Sequence, residues 1–239
     1  MLDQIESMML RPFAEGLVLD QFIDPLVDIG DITIAALLNE DSVFKDVPII
    51  RAGRLLHKTG ITIQRAFEIK NQLAFLQGIQ KGKLELEGFA KRYEAFRNNE
   101  SWFYREVETL VVYISRNTNI KKAKIQAALY LEYVGHKITL EDFNECLDII
   151  DQLLIGDIQH LLELNTYQQK NGITVDNLNE NKRKFEFKFD LAKCNRLSSL
   201  GLLMRTQFFA FGRTVKREFL VSDLGCYISN LIQNITHNE

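Results

Sequence analysis

The chain has 239 residues, 46% hydrophobic and 26% charged, with a net charge of −3, the composition of a soluble globular protein with material for one large domain or two small ones. Uninterrupted apolar runs stay far below the roughly 18 residues of a membrane span, and the start MLDQIESMMLRPFAEG has no basic region before an apolar one, so no signal peptide is expected. Cys146, Cys194 and Cys226 are odd in number and far apart. They read as free thiols of a reducing cytoplasm, and with His57, His136, His160 and His237 scattered singly the expectation is no metal and no cofactor.

The charge is segregated. Residues 1–50 carry −8, residues 51–100 +5, residues 101–180 −5 and residues 181–239 +5. Such blocks either compensate one another within the fold or between subunits, or present separate acidic and basic faces to partners.

Taken in chain order, Leu2 to about Leu38 has helical spacing, which Pro12 and Pro25 are expected to break into short helices. Asp31 is a candidate cap for ITIAALLN. Pro48 suits a first helical turn, with Asp46 as cap. Ile63 to Ile79 carries Ile63, Phe67, Leu73, Leu76 and Ile79 at helical intervals and closes at Lys81-Gly82. Leu86 to Arg97 is a further helix, followed by an Asn98-Asn99 turn and a helix capped by Ser101. The near-continuous apolarity of that helix (Val107, Leu110, Val111, Tyr113, Ile114) predicts a central position, with Trp102, Phe103 and Tyr104 as packing aromatics. Lys121 to Val134 is a basic-then-apolar helix closed by Gly135. Thr139 and Asp142 have capping-box spacing and open one long helix through Gln168, with Gly156 as a point of kinking or close packing.

The polar stretch 168–184 is the natural linker, separating an α-helical bundle over 1–167 from a module over 185–239. Phe185, Phe187 and Phe189 alternate as in a short strand. A helix from Leu191 to Leu203 follows, then two strands within FFAFGRTVKREFLV around Gly212-Arg213, and a last helix from Leu224 to Ile235 capped by Ser222 or Asp223. The expected fold is therefore mainly α: an N-terminal multi-helix bundle followed by a small winged-helix-like α+β module. In DNA-binding modules of this order the helix before the hairpin enters the major groove and the hairpin touches the backbone. The residues for that task are Lys193 and Arg196 on the helix and Arg205, Arg213, Lys216 and Arg217 on the wing, since phosphate neutralisation supplies affinity. Against it, a +5 module is less basic than DNA-binding domains usually are.

No G-x-x-x-x-G-K, G-x-S-x-G or H-E-x-x-H occurs. Acidic pairs such as Glu106/Glu108 and Glu141/Asp142/Glu145 have no His or Lys partner nearby and read as solvated helix faces. No catalytic residue is assigned, and the expectation is a protein that is not an enzyme.

The runs DVPIIRAGRLLHKTGITIQRAFEIKNQLAFLQGI and KKAKIQAALYLEYVGHKITLEDFNECLDIIDQLLIGDIQHLLEL resemble a widespread family of bacterial helical proteins. The tail, RLSSLGLLMRT with FLVSDLG, is similar to the C-terminal end of the abortive-infection alpha proteins. Arg51 and Arg54 stand where that resemblance leads one to expect smaller apolar residues, which weakens a membrane-inserting role. The resemblance implies a bacterial or prophage setting, with defence against phage as the expected context, and carries no catalytic residue across.

Three functions follow. The leading one is a cytoplasmic, non-enzymatic interaction protein binding a protein partner or a second copy of itself. The second is a winged-helix DNA-binding regulator. The third is a membrane-perturbing effector at the bilayer periphery, using the N-terminal apolar helices and the Gly53/Gly60 segment.

Overall fold

A computed structural model describes residues 2–19, 29, 31–39, 41–57, 63–83, 86–173, 190–207 and 217–236. Among the described residues the protein is mainly helical, with one two-stranded antiparallel sheet near the C-terminus. It divides into two compact units, residues 1–151 and 152–239. The division thus falls ahead of the polar stretch 168–184, and the helix at 155–171, grouped with the bundle in the sequence, is counted in the second unit.

The first unit holds α1 (Leu2–Val18), α2 (Ile34–Leu38), α3 (Pro48–His57), α4 (Ile63–Lys83), α5 (Glu87–Arg97), α6 (Ser101–Arg116), α7 (Ile120–Val134) and α8 (Leu140–Gln152), whose last residue crosses the division. Pro12 does not break α1 but lies inside it. The helix continues past it because Phe13, Ala14 and Leu17 are fully buried, so packing outweighs the lost backbone bond. Pro25 lies outside the described residues. Pro48 opens α3 as expected, with Val47 rather than Asp46 before it, its carbonyl accepting from Ile50 and Arg51. Thr33, not Asp31, caps α2, its hydroxyl accepting from the Ala36 N–H at 3.3 Å. Glu100, not Ser101, is the cap residue of α6.

The centre of this unit is α4 packed on α7, not α6. Seven consecutive residues of α4, 71–77, are buried, among them the amides Asn71, Gln72 and Gln77. Phe67, assigned to the core stripe by its spacing, is 49% exposed. Close approach is set by small residues: a Cβ on Gly78 would fall 2.7 Å from Ala127 Cβ on α7. Helix α6 buries one stripe (Phe103, Val107, Leu110, Ile114) and leaves Val112 47% exposed. Gly135 caps α7. The Thr139–Asp142 capping box is present, with the Asp142 N–H donating to Thr139 Oγ1 and the Thr139 N–H to Asp142 Oδ2, both at 3.1 Å.

The single long helix expected from Thr139 to Gln168 is two. Helix α8 stops at Gln152 and α9 runs Ile155–Asn171, with Leu154 extended (ψ 150°) between them. Leu153 is buried there while Leu154 is 55% exposed, so the apolar run is interrupted in backbone but not in pattern. Gly156 is not a packing point, since its Cβ would meet nothing nearer than Lys193 Cε at 3.8 Å.

The second unit contains α9, α10 (Leu191–Ser199), β1 (Leu203–Gln207), β2 (Arg217–Val221) and α11 (Asp223–Thr236). Asp190 caps α10 through the N–H groups of Ala192 and Lys193, at 3.1 and 3.2 Å. The helix ends at Ser199 rather than at Leu203, in a Schellman turn. Gly201 sits at φ +74°, its N–H reaches the Ser198 carbonyl, and the Leu202 N–H reaches that of Leu197. The chain enters β1 at once, and β1 pairs with β2 in the register Leu203↔Val221 to Gln207↔Arg217. The first strand therefore lies ahead of FFAF, and both FFAF and the Gly212-Arg213 turn lie outside the described residues, as does the strand expected at Phe185 to Phe189. Ser222 caps α11, accepting from the Gly225 N–H at 3.0 Å and donating to the Gly201 carbonyl at 2.6 Å. Gly225 is obligatory, because a Cβ there would fall 2.2 Å from the Leu202 carbonyl oxygen. From α9, Gln168 reaches β2: its Nε2 donates to the Phe219 carbonyl at 3.2 Å and its Oε1 accepts from the Val221 N–H at 3.1 Å.

Candidate functional site

The residues singled out for nucleic-acid contact centre on α10 and the hairpin. Asp157 lies in the first turn of α9, its carboxylate favoured there by the helix N-terminus. Arg196 grips it from α10 with both prongs, Nη2 2.6 Å from Oδ1 and Nε 2.9 Å from Oδ2. Donating these hydrogen bonds to the carboxylate raises the Arg196 pKa further. Lys193 is half-buried with Nζ 3.8 Å from Asp190 Oδ2. Arg205, on β1, donates from Nη2 to Asn195 Oδ1 of α10 at 3.0 Å. Arg217 opens β2 opposite Gln207, while Arg213 and Lys216 lie outside the described residues. The fold thus brings Lys193, Arg196 and Arg205 onto one helix and its adjoining strand, and each has a partner inside the unit.

The remaining surface of α10 is mixed. Leu191 is 53% exposed, Ala192, Asn195 and Ser199 are also exposed, and Met204 on β1 is 40% exposed. Beneath it His160 of α9 and Cys194 of α10 are both buried, with Nε2 3.4 Å from Sγ. Burial, aided by Lys193, lowers the His160 pKa, and burial, aided by Asp190, pushes the Cys194 thiol up to about 11. Both shifts favour the neutral forms, the opposite of what a thiolate–imidazolium nucleophile needs. Cys146 is likewise pushed up to about 11, first by burial.

The first unit has its own polar centre, on α5, α6 and α7. The Arg92 guanidinium meets Glu106 through Nε at 2.7 Å and Nη2 at 2.9 Å, and Tyr130 donates to Glu106 Oε1 at 2.6 Å. Tyr130, Tyr133 and Trp102 present their rings to the guanidinium at 5.5, 5.2 and 6.0 Å from their centroids, a cation–π setting. Burial opposes the Arg92 charge, while the hydrogen bond and charge of the Glu106 carboxylate favour it, and the pKa is held above its usual value. Burial and Glu106 together push the Tyr130 phenol pKa well above its ordinary value. Arg92 Nε and Nη2 and the Tyr130 hydroxyl all donate to the one carboxylate of Glu106, so the arrangement is suited to joining three helices.

Two ion pairs whose carboxylates are largely buried join a basic block of the sequence to an acidic one: Arg92 with Glu106, and Arg196 with Asp157. The segregated charge is to that extent compensated within each unit. Gly53 is also used internally, a Cβ there falling 2.7 Å from Ile69 Cδ1, and Gly60 lies outside the described residues. Among the described residues no helix is long and apolar enough to cross a membrane, and no three His, Cys, Asp or Glu residues group as metal ligands.

Asp157, Asn195 and Gln168 do not stand out in the sequence. Each acts on a residue well separated in sequence, and polar spacing along one helix carries no signal for that. Compared with family models, characterised proteins and solved structures, the chain matches none.

Proposed function

We propose that this protein is a non-enzymatic interaction protein that binds another protein through the outward side of α10 and the adjoining β1. The observation that carries the reading is the internal use of the α10 cations. Arg196 is held by Asp157 and Lys193 stands by Asp190, while Leu191 and Met204 are left exposed. A surface with its charges paired and apolar side chains outward suits a protein partner better than a phosphate backbone, which needs free cations.

The test is purification of the tagged protein from its native cells with and without nuclease, beside the variant Leu191→Glu. A protein partner that survives nuclease and binds at least tenfold more weakly to Leu191→Glu supports the reading. Co-purification of nucleic acid alone, released by moderate salt, would refute it.

A second reading, a winged-helix nucleic-acid-binding regulator, draws on one feature: the order helix, strand, strand, helix from α10 to α11. It requires the Arg196–Asp157 pair to open on binding. Under it, duplex DNA is shifted in a salt-dependent way and the shift is lost in Arg196→Ala.

A further inference from the structure

We infer that one water molecule is a fixed component of the first unit, held between Asn117 and Gln126 where α6 hands over to α7. Asn117 follows the last residue of α6 and is 5% exposed; Gln126, on α7, is fully buried. Asn71 of α4, also buried, donates from Nδ2 to the Asn117 main-chain carbonyl at 2.7 Å, and Asn117 Nδ2 donates to Gln126 Oε1 at 2.7 Å. That leaves Asn117 Oδ1 and Gln126 Nε2 buried without a protein partner.

The unmet groups are one acceptor and one donor on two side chains already in contact. Turning both amides over exchanges oxygen for nitrogen in each and again leaves one acceptor and one donor, so the requirement does not depend on how the amides are oriented. A bound cation would need acceptors and an anion would need donors. A single small neutral molecule that donates and accepts from one atom meets the set, and water is that molecule in a site closed to solvent. It completes a polar strip running from Asn71 on α4 through the turn after α6 to α7, and so pins the turn to the most tightly packed helices of the unit.

The test is a high-resolution crystal structure of the native protein with an NMR measurement of slowly exchanging water at the Gln126 side-chain amide. The expected result is a water about 2.7–3.2 Å from both Asn117 Oδ1 and Gln126 Nε2, with a water cross-peak to that amide. A direct second amide–amide bond, or a Gln126 side chain turned away from Asn117, overturns the inference. The variant Gln126→Met, matched in length and without polar atoms, should lose one long-lived water in oxygen-17 relaxation; an unchanged count counts against the inference. If that variant does not fold, the native structure decides alone.

Discussion

Arg196 and Asp157 share two hydrogen bonds, yet the carboxylate keeps only 2% of its side-chain surface exposed and the guanidinium 46%. The pair is therefore unequal. Asp157 depends on Arg196 for compensation, whereas Arg196 has water within reach.

From this inequality, Arg196→Ala should lower the unfolding midpoint of the second unit more than Arg196→Ala combined with Asp157→Asn, because the double variant no longer strands a buried charge. Urea titrations of the three proteins read the order directly. A double variant less stable than Arg196→Ala would contradict the account.

The Arg92–Glu106 pair is buried on both sides, at 6% and 9% side-chain exposure. Glu106→Gln removes the counter-charge from a guanidinium enclosed by aromatic rings, and is expected to cost about 3–5 kcal/mol. Trp102, the single tryptophan, lies beside the guanidinium, so its fluorescence follows the loss. A variant within about 1 kcal/mol of the native protein would show that the pair adds little.

Two glycines should respond in opposite senses. Gly225→Ala drives a Cβ to 2.2 Å from the Leu202 carbonyl and should destabilise by about 3 kcal/mol, the upper end for overpacking. Gly156→Ala, exposed in α9 with nothing nearer than 3.8 Å, should stabilise by about 0.5–1 kcal/mol through helix propensity and a less flexible unfolded chain. Thermal melts of both variants settle the signs.

The capping box gives a pH dependence. The side-chain hydrogen bond from Thr139, with the backbone one, lowers the Asp142 pKa below its ordinary 3.8. A carboxyl depressed in the folded state stabilises above its unfolded value, and loses that contribution as pH falls through the lower folded value. Native protein should therefore melt higher than Asp142→Asn at neutral pH, and the gap should narrow as pH falls below 3.8. A gap that does not change with pH would rule out this origin.

How much of this was legible in the sequence depends on the range of the interaction. Pro48 opening α3, Gly135 closing α7 and the Thr139–Asp142 box act within four residues, and their residue types announce them. The mainly helical class with a C-terminal hairpin was legible for the same reason. The central place of α4 was not, because Asn71, Gln72 and Gln77 look like a solvated face until neighbouring helices cover them. Nor was the break at Leu153-Leu154, where apolar residues continue through the turn. The candidate surface was half legible: its cations are conspicuous, but Asp157 lies 39 residues from Arg196 and claims it only in the folded chain.

The Gln168 side chain has a further consequence for the hairpin. Its amide group offers β2 one acceptor and one donor, as a peptide unit of a neighbouring strand would, and the Phe219 carbonyl and Val221 N–H take them. A short sheet with open margins is a template on which foreign strands accumulate. Here one margin of β2 is already occupied by a side chain from α9, which cannot be extended into another strand. The same two bonds that fasten the helix to the hairpin therefore make that margin a dead end for aggregation.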